Sequence, residues 1–372
     1  MPEIRATACV RYRYRYSDCS RCSEACPHDA ISLSEEGATL IDDRCRGCDL
    51  CVAACRTGAW SSPDFKPVEL LREAITKREW RFACEPSGCK GDAVVPCLGA
   101  VDATWLAYMA KRRIPVSLHG AGHCAECVHG STGAAQLTSN LEAVQLLRQA
   151  AVVPADGAAA AADWTMPALV EDCDSSRRRG SGVWASPLSV ARRRLLQRIL
   201  RPTADRRDGD DSGARPQVPD RGIRAAAYVS SEQRDLLQIV CKQKDAAQFS
   251  IASHEALPLL QLHMQQGCTL CEACFRVCPT GALAIVENPG DWALTFQIDR
   301  CVGCEVCLEA CQPQALHAAT AVDPRPDRPP VALIAQAKQR CSRCDRHFVS
   351  AAPQSTCPVC ADDEEAFAKI FS

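Results

Sequence analysis

Large rings are scarce in this chain: aromatic residues make up 5% of its 372 positions. Cores filled mainly by Phe, Tyr and Trp are therefore not expected over most of its length. An excess of one charge is missing as well. The 43 basic side chains face 45 acidic ones, for a net charge of −2. That balance leaves no electrostatic footprint for nucleic acid or an anionic bilayer, so neither is expected as a partner. No run approaches the roughly 18 apolar residues of a membrane span. Met1 to Val10 lacks the apolar stretch and cleavage site of a secretory signal, so a cytoplasmic, reducing location is expected. There is no Walker loop, and no GxGxxG between a strand and a helix.

Cysteine is what the chain has in abundance, with 27 residues. Disulfides are rare in a reducing compartment, so this composition favours bound metal. The cysteines fall into groups: eight from Cys9 to Cys55, five from Cys84 to Cys127, eight from Cys268 to Cys311 and four from Cys341 to Cys360. Cys173 and Cys241 stand apart and are expected to be free thiols.

The third group reads Cys268-x2-Cys271-x2-Cys274-x3-Cys278-Pro279, then Cys301-x2-Cys304-x2-Cys307-x3-Cys311. Zinc built from the same residues is the alternative, but zinc takes four ligands and this run supplies eight. The run resembles the bacterial dicluster ferredoxins, which carry two 4Fe–4S clusters. In that family the fourth cysteine of each run crosses to the other cluster. The resemblance implies one cluster on Cys268, Cys271, Cys274 and Cys311, and a second on Cys301, Cys304, Cys307 and Cys278.

The N-terminal group repeats this pattern. Cys19, Cys22 and Cys26 match Cys271, Cys274 and Cys278 at an offset of 252. Cys45, Cys48, Cys51 and Cys55 match Cys301, Cys304, Cys307 and Cys311 at an offset of 256. The difference fits a longer hairpin over Glu287–Trp292. This is an internal duplication. Tyr16 stands where Cys268 would be matched, and Cys9 lies seven residues earlier. Cys9 is expected to replace the missing thiolate, giving clusters on Cys9, Cys19, Cys22 and Cys55 and on Cys45, Cys48, Cys51 and Cys26. The alternative is a three-iron cluster with Cys9 as a bystander. The alternating Arg11–Tyr16 run is read as an edge strand with one face exposed; a nucleic-acid stacking strip is the other reading.

Between these groups, strands are expected at Trp80–Ala83, Ala93–Val95 and Pro115–Leu118, and helices at Ala103–Lys111 and Leu141–Gln149. Such alternation suggests a small α/β domain with its cysteines at strand ends. Phe82-x-Cys84, Val95-x-Cys97-x-Gly99 and the glycine-rich approach to Cys124-x2-Cys127 resemble the delta subunit of methyl-viologen-reducing hydrogenases. A fifth cluster, 2Fe–2S or 4Fe–4S, is expected on Cys84, Cys97, Cys124 and Cys127, with Cys89 as a substitute for Cys84. Zinc is the alternative, given His119, His123 and His129 nearby, and unmetallated thiols are a third reading.

Residues 152–225 read as a linker, largely disordered, with a basic amphipathic helix over Ser189–Arg201. Cys341-x2-Cys344-x12-Cys357-x2-Cys360 has the spacing of two metal knuckles and resembles zinc ribbons. Four thiolates suit zinc, or a single iron as in rubredoxins, which the Cys357–Cys360 half also resembles.

The expected fold class is α+β: two ferredoxin-like modules, each with two 4Fe–4S clusters, flank a small α/β domain and precede a C-terminal zinc ribbon. The expected boundaries are 1–66 for the N-terminal module, 67–151 for the small domain and 152–225 for the linker. They are 226–330 for the C-terminal module and 331–372 for the tail. Metal, more than apolar cores, is expected to hold these units together.

The plan resembles the polyferredoxin proteins that accompany bacterial molybdenum or tungsten oxidoreductases, notably formate dehydrogenases, and hydrogenases. The resemblance implies a hetero-oligomeric subunit relaying single electrons between a catalytic subunit and a second carrier. It implies no catalytic residue on this chain. An assembly scaffold with structural clusters is one alternative, and a catalytic iron–sulfur enzyme using the Cys84–Cys127 site is another. Arg21, Arg44, Arg46 and Arg56 crowd the first module, while Arg276 and Arg300 flank the second. On that count the N-terminal clusters are expected to be the higher-potential set.

Overall fold

The computed structural model describes residues 1–63, 65–151, 154–155, 158–159, 163–171, 231–242, 250–287, 290–350 and 352–363. The expected helix over Ser189–Arg201, Cys173 and most of the expected linker lie outside the described residues.

The duplication is visible as repeated local structure. In the N-terminal copy, Glu3–Ile4 pairs antiparallel with Trp60–Ser61. Inside that frame sit a helical turn (Arg21–Glu24), a hairpin (Ile31–Ser34 with Gly37–Leu40) and a second turn (Leu50–Ala54). In the C-terminal copy, Leu262–Met264 pairs with Leu316–Ala318 around the helix Ala273–Val277, the hairpin Leu283–Glu287 with Asp291–Phe296, and the turn Val306–Glu309. Period-two burial explains the long hairpin: Trp292, Leu294 and Phe296 face inward from alternate positions.

That hairpin does not end with the module. Asp291–Phe296 also pairs with Val331–Arg340, which pairs with His347–Ser350. The tail therefore extends the C-terminal module's sheet, with a bulge between Leu294 and Thr295.

Between the modules lies a four-stranded parallel sheet, ordered Ala93–Val95, Trp80–Cys84, Val116–His119, Ala168–Val170. The last of these strands falls within the stretch read as linker. A cluster of large rings fills its core. Phe82 packs edge-on against Trp80 and Trp105, with centroids 6.0 and 4.8 Å away. The helix Ala103–Lys111 covers the sheet; Asp102 caps its start, accepting from the Thr104 and Trp105 N–H groups at 2.9 and 3.1 Å. The second helix spans Gly130–Ala150, starting well before the expected Leu141.

One further helix, Glu232–Cys241, joins the sheet domain to the C-terminal module. Ser231 caps its start. The Lys111 ammonium caps its end, donating to the Val240 and Lys242 carbonyls at 2.6 and 2.9 Å. Cys241 on this helix is a free, fully buried thiol, as expected.

The Arg/Tyr run differs from expectation. Val10–Arg13 forms a helical turn, not an edge strand. Val10 is buried beneath it, and Arg11 Nε donates to the Cys19 carbonyl at 2.6 Å. A strand would need a backbone partner; here the arginine ties the turn to the cysteine loop instead.

Candidate metal centres

Cys9, Cys19, Cys22 and Cys55 line one cavity. Cys9 sits at the junction of a tight turn, Ala6–Ala8, and the helical turn that follows. Cys22 lies in the turn Arg21–Glu24, and Cys55 ends the turn Leu50–Ala54. The Ala59 N–H donates to Cys55 Sγ at 3.3 Å. Tyr16, in the position of the missing cysteine, is 65% exposed and does not line the cavity.

The other ferredoxin-type sets are drawn together across their runs. Cys26 and Cys45 lie within electrostatic reach of Cys48, and Cys45 and Cys48 within reach of Cys51. Cys278 faces Cys301, Cys304 and Cys307. Cys311, Cys268 and Cys271 face Cys274. Backbone amides point at the sulfurs: Ala30 N–H donates to Cys26 at 3.3 Å and Gly303 N–H to Cys301 at 3.4 Å.

The loops share an unusual backbone. Gly47 and Asp49 around Cys48, Leu270 and Glu272 around Cys271, and Gly303 and Glu305 around Cys304 all have φ between 57° and 69°. Side-chain-bearing residues rarely adopt this region, and such strain collects at functional sites.

The donor sets fit metal clusters. Burial pushes the thiol pKa to about 12 at Cys22 and Cys274 and about 11 at Cys48 and Cys301. Buried thiolates therefore need a cation to form, which bound iron supplies.

In the sheet domain, Cys84, Cys97, Cys124 and Cys127 line a second cavity. Cys84 ends one strand, Cys97 follows the next, and Cys124 and Cys127 follow the third. This is the carboxyl edge of a parallel sheet, where such folds place their sites. Cys89 is disulfide-bonded, contrary to the reading that made it a substitute for Cys84 and to the expectation that thiols here stay reduced. His119 bonds Ser117 Oγ at 2.9 Å and lies away from the cavity, whereas His123 and His129 line it. His129 Nδ1 is paired with His28 Nε2 at 3.0 Å, and burial lowers its pKa to about 4.

Sequence reasoning missed this contact. His28, Cys48 and His129 place ligand atoms within 4.8 Å of one another, joining the sheet domain to the N-terminal module. Leu50, fully buried, packs with Cys48 and Cys97 in the same seam. No spacing rule links residues this far apart in sequence.

Glycine is required where the long helix crosses this site. A Cβ at Gly133 would lie 2.8 Å from Cys97 Sγ, and one at Gly99 would lie 2.5 Å from the Gly133 carbonyl oxygen. Gly133→Ala is expected to cost the chain about two to four irons, the content of one 2Fe–2S or 4Fe–4S cluster, and to leave the other sites loaded. Iron analysis beside wild type checks this; full iron content in the variant rejects it.

In the tail, the sulfurs of Cys341, Cys344, Cys357 and Cys360 lie within 4.8 Å of one another. The first pair occupies the turn between Val331–Arg340 and His347–Ser350. The Cys357 N–H donates to Cys341 Sγ at 3.2 Å, and such amides hold the Cys341 thiol well below its usual pKa. Four sulfurs this close suit one tetrahedral ion. Cys360→Ser should abolish zinc binding and leave iron unchanged; loss of iron instead would assign this site to iron.

Residues 17–59 and 267–315 match the 4Fe-4S dicluster domain family. Over 106 residues, 28% of this chain, the sequence is 31% identical to the B subunit of the polysulfide reductase of Wolinella succinogenes. The match spans 47% of that protein, so the chain covers about half the length of this curated relative. The chain carries a 4Fe-4S dicluster domain at two places.

Proposed function

We propose that this chain is a multi-cluster iron–sulfur protein that relays single electrons between the catalytic subunit of a redox enzyme and a second carrier. Its ligand sets would be the two pairs in the ferredoxin-like modules, with Cys9 as the displaced ligand, and a fifth set on Cys84, Cys97, Cys124 and Cys127. Cys341, Cys344, Cys357 and Cys360 would hold zinc. Iron–sulfur clusters supply reversible one-electron chemistry; the chain's residues hold them, exclude water and set their order.

One observation carries the reading: the cysteine sets touch one another across domain boundaries. Cys97 lies within electrostatic reach of Cys48, and Cys304 lines the cavity of Cys9, Cys19, Cys22 and Cys55. Scaffolding clusters would need no such contacts. The partner is read as a molybdenum or tungsten oxidoreductase or a hydrogenase; likeness to a reductase subunit supports a hetero-oligomer. No helix among the described residues is long and apolar enough to cross a membrane. The test is copurification under anaerobic conditions followed by redox cycling. Clusters that reduce and reoxidise reversibly with a copurifying oxidoreductase support the relay. Clusters that cannot be cycled favour the scaffold.

A further inference from the structure

Of the charges that sequence counting gave to the N-terminal module, only Arg21 and Arg56 line its Cys9, Cys19, Cys22 and Cys55 cavity. Arg44 and Arg46 are exposed, as is Arg300, and Arg276 is spent on Glu272 at 2.7 Å. Exposed charges are screened by water and salt and tune a buried centre weakly. Among the described residues Arg56 and Arg234 are buried, and both lie within electrostatic reach of Cys301.

Arg56 leaves the N-terminal module and enters the C-terminal one. Its Nη1 bonds the Gly303 carbonyl and lies 3.2 Å from Glu305; its Nη2 donates to the Glu255 carbonyl at 2.8 Å. Its Nε is buried and makes no hydrogen bond among the described residues. Its side chain lines the Cys9, Cys19, Cys22 and Cys55 cavity beside Cys304, and it lies within electrostatic reach of Cys301 and Cys304. Arg21 lines the same cavity and also pairs with Glu305, at 3.0 Å.

Arg234 is fully buried on the helix Glu232–Cys241. It donates to the Ile298 carbonyl at 2.7 Å and the Asp299 carbonyl at 3.3 Å, and its Nη1 is buried without a hydrogen bond among the described residues. Cys301, Asp299 and Asp235 lie within its electrostatic reach, beside the buried Cys241 thiol. Burying a guanidinium is costly unless negative charge faces it. Thiolate-bound iron–sulfur centres carry such charge, and more of it when reduced.

We propose that the Cys278, Cys301, Cys304 and Cys307 site is the most easily reduced station of the chain. It is also where electrons cross between the two ferredoxin-like modules, with Arg56 and Arg234 as positioning residues. This rests on the electron-relay reading above. In the crossing, one electron leaves the Cys9, Cys19, Cys22 and Cys55 site, which is oxidised by one. The Cys278, Cys301, Cys304 and Cys307 site is reduced by one. No bond forms or breaks, and both guanidiniums keep their protons.

The test is a potentiometric EPR titration of the anaerobic full-length chain with dithionite as reductant. In Arg234→Met, the first reduction step should shift to lower potential while the later steps stay. In Arg56→Gln, the same step should shift down, and the magnetic broadening between modules in the fully reduced chain should weaken. Glu305→Gln, at a half-exposed position, should shift the first step up. Variants with full iron and an unchanged first step overturn the proposal, as does a shift confined to later steps. If the arginine variants lose iron, the Glu305→Gln shift decides alone. A wild-type chain without 4Fe–4S signals defeats the relay reading itself.

Discussion

Stripping the metals will unfold the N-terminal module and the tail while the parallel sheet between the modules survives. The reason lies in what each unit buries. The N-terminal module's main cluster is Cys22, Ile31, Ala38, Cys51 and Trp60, so two of its five members are ligand candidates. The tail's cluster consists of Cys341, Cys357 and Cys360. With metal removed, these become buried thiols with nothing to surround. Structural zinc alone supplies about 10–16 kcal/mol in small zinc-finger folds. The sheet domain instead buries Trp80, Phe82, Trp105, Leu106, Met109, Leu118 and Leu147 at under 2% exposure. Each is worth about 1.5–3 kcal/mol. Hydrogen exchange after chelation should show fast amides across Ile31–Leu40 and protected amides in Trp80–Cys84. Lasting protection in both would mean that apolar packing suffices throughout.

Cys9→Ser should remove or truncate the cluster that joins the modules. Cys9 shares its cavity with Cys19, Cys22 and Cys55, and that cavity touches Cys304. Without its thiolate the site keeps three cysteines, which suits a three-iron cluster or none. Iron should fall by about one to four atoms per chain on that basis. Reduction of the C-terminal module by electrons entering at the other end should slow by at least tenfold, on the order of a 1.4 kcal/mol barrier change or more. Tyr16→Phe should leave both unchanged, because Tyr16 is exposed and outside the cavity. A Cys9→Ser chain with full iron and an unaltered EPR spectrum would make Cys9 a bystander.

Much of this arrangement is legible in the sequence because cluster ligation is local. Two-residue spacings force sulfurs together wherever the chain runs, so the paired runs read directly, whereas their crossing cysteines are what the resemblance to dicluster ferredoxins implies. The Cys84, Cys97, Cys124 and Cys127 convergence follows from strand ends in a parallel sheet. The helix Ala103–Lys111 carries its own cap and is readable to the residue. Other features depend on tertiary contacts. Gly130-Ser-Thr-Gly133 has poor helix propensity, yet it opens the long helix, where the absence of a Cβ at Gly133 leaves room for Cys97. Arg11–Tyr16 alternates like a strand, but Val10 and Arg11 find better partners in a turn. Ala168–Val170 is too short to stand out from its small-residue surroundings. Arg234 and Cys301 meet across a gap in sequence that no local pattern bridges, so counting arginines per module misplaces the charge.

The most direct measurement is a metal count on anaerobically purified protein, with EPR on the reduced form. Four cubane sites, a fifth site of 2Fe–2S or 4Fe–4S type and one tetrahedral site predict about 18 to 20 irons and one zinc per molecule. The EPR spectrum should show interacting 4Fe–4S clusters. A protein holding mostly zinc, or irons whose EPR signals show no mutual interaction, would contradict the account.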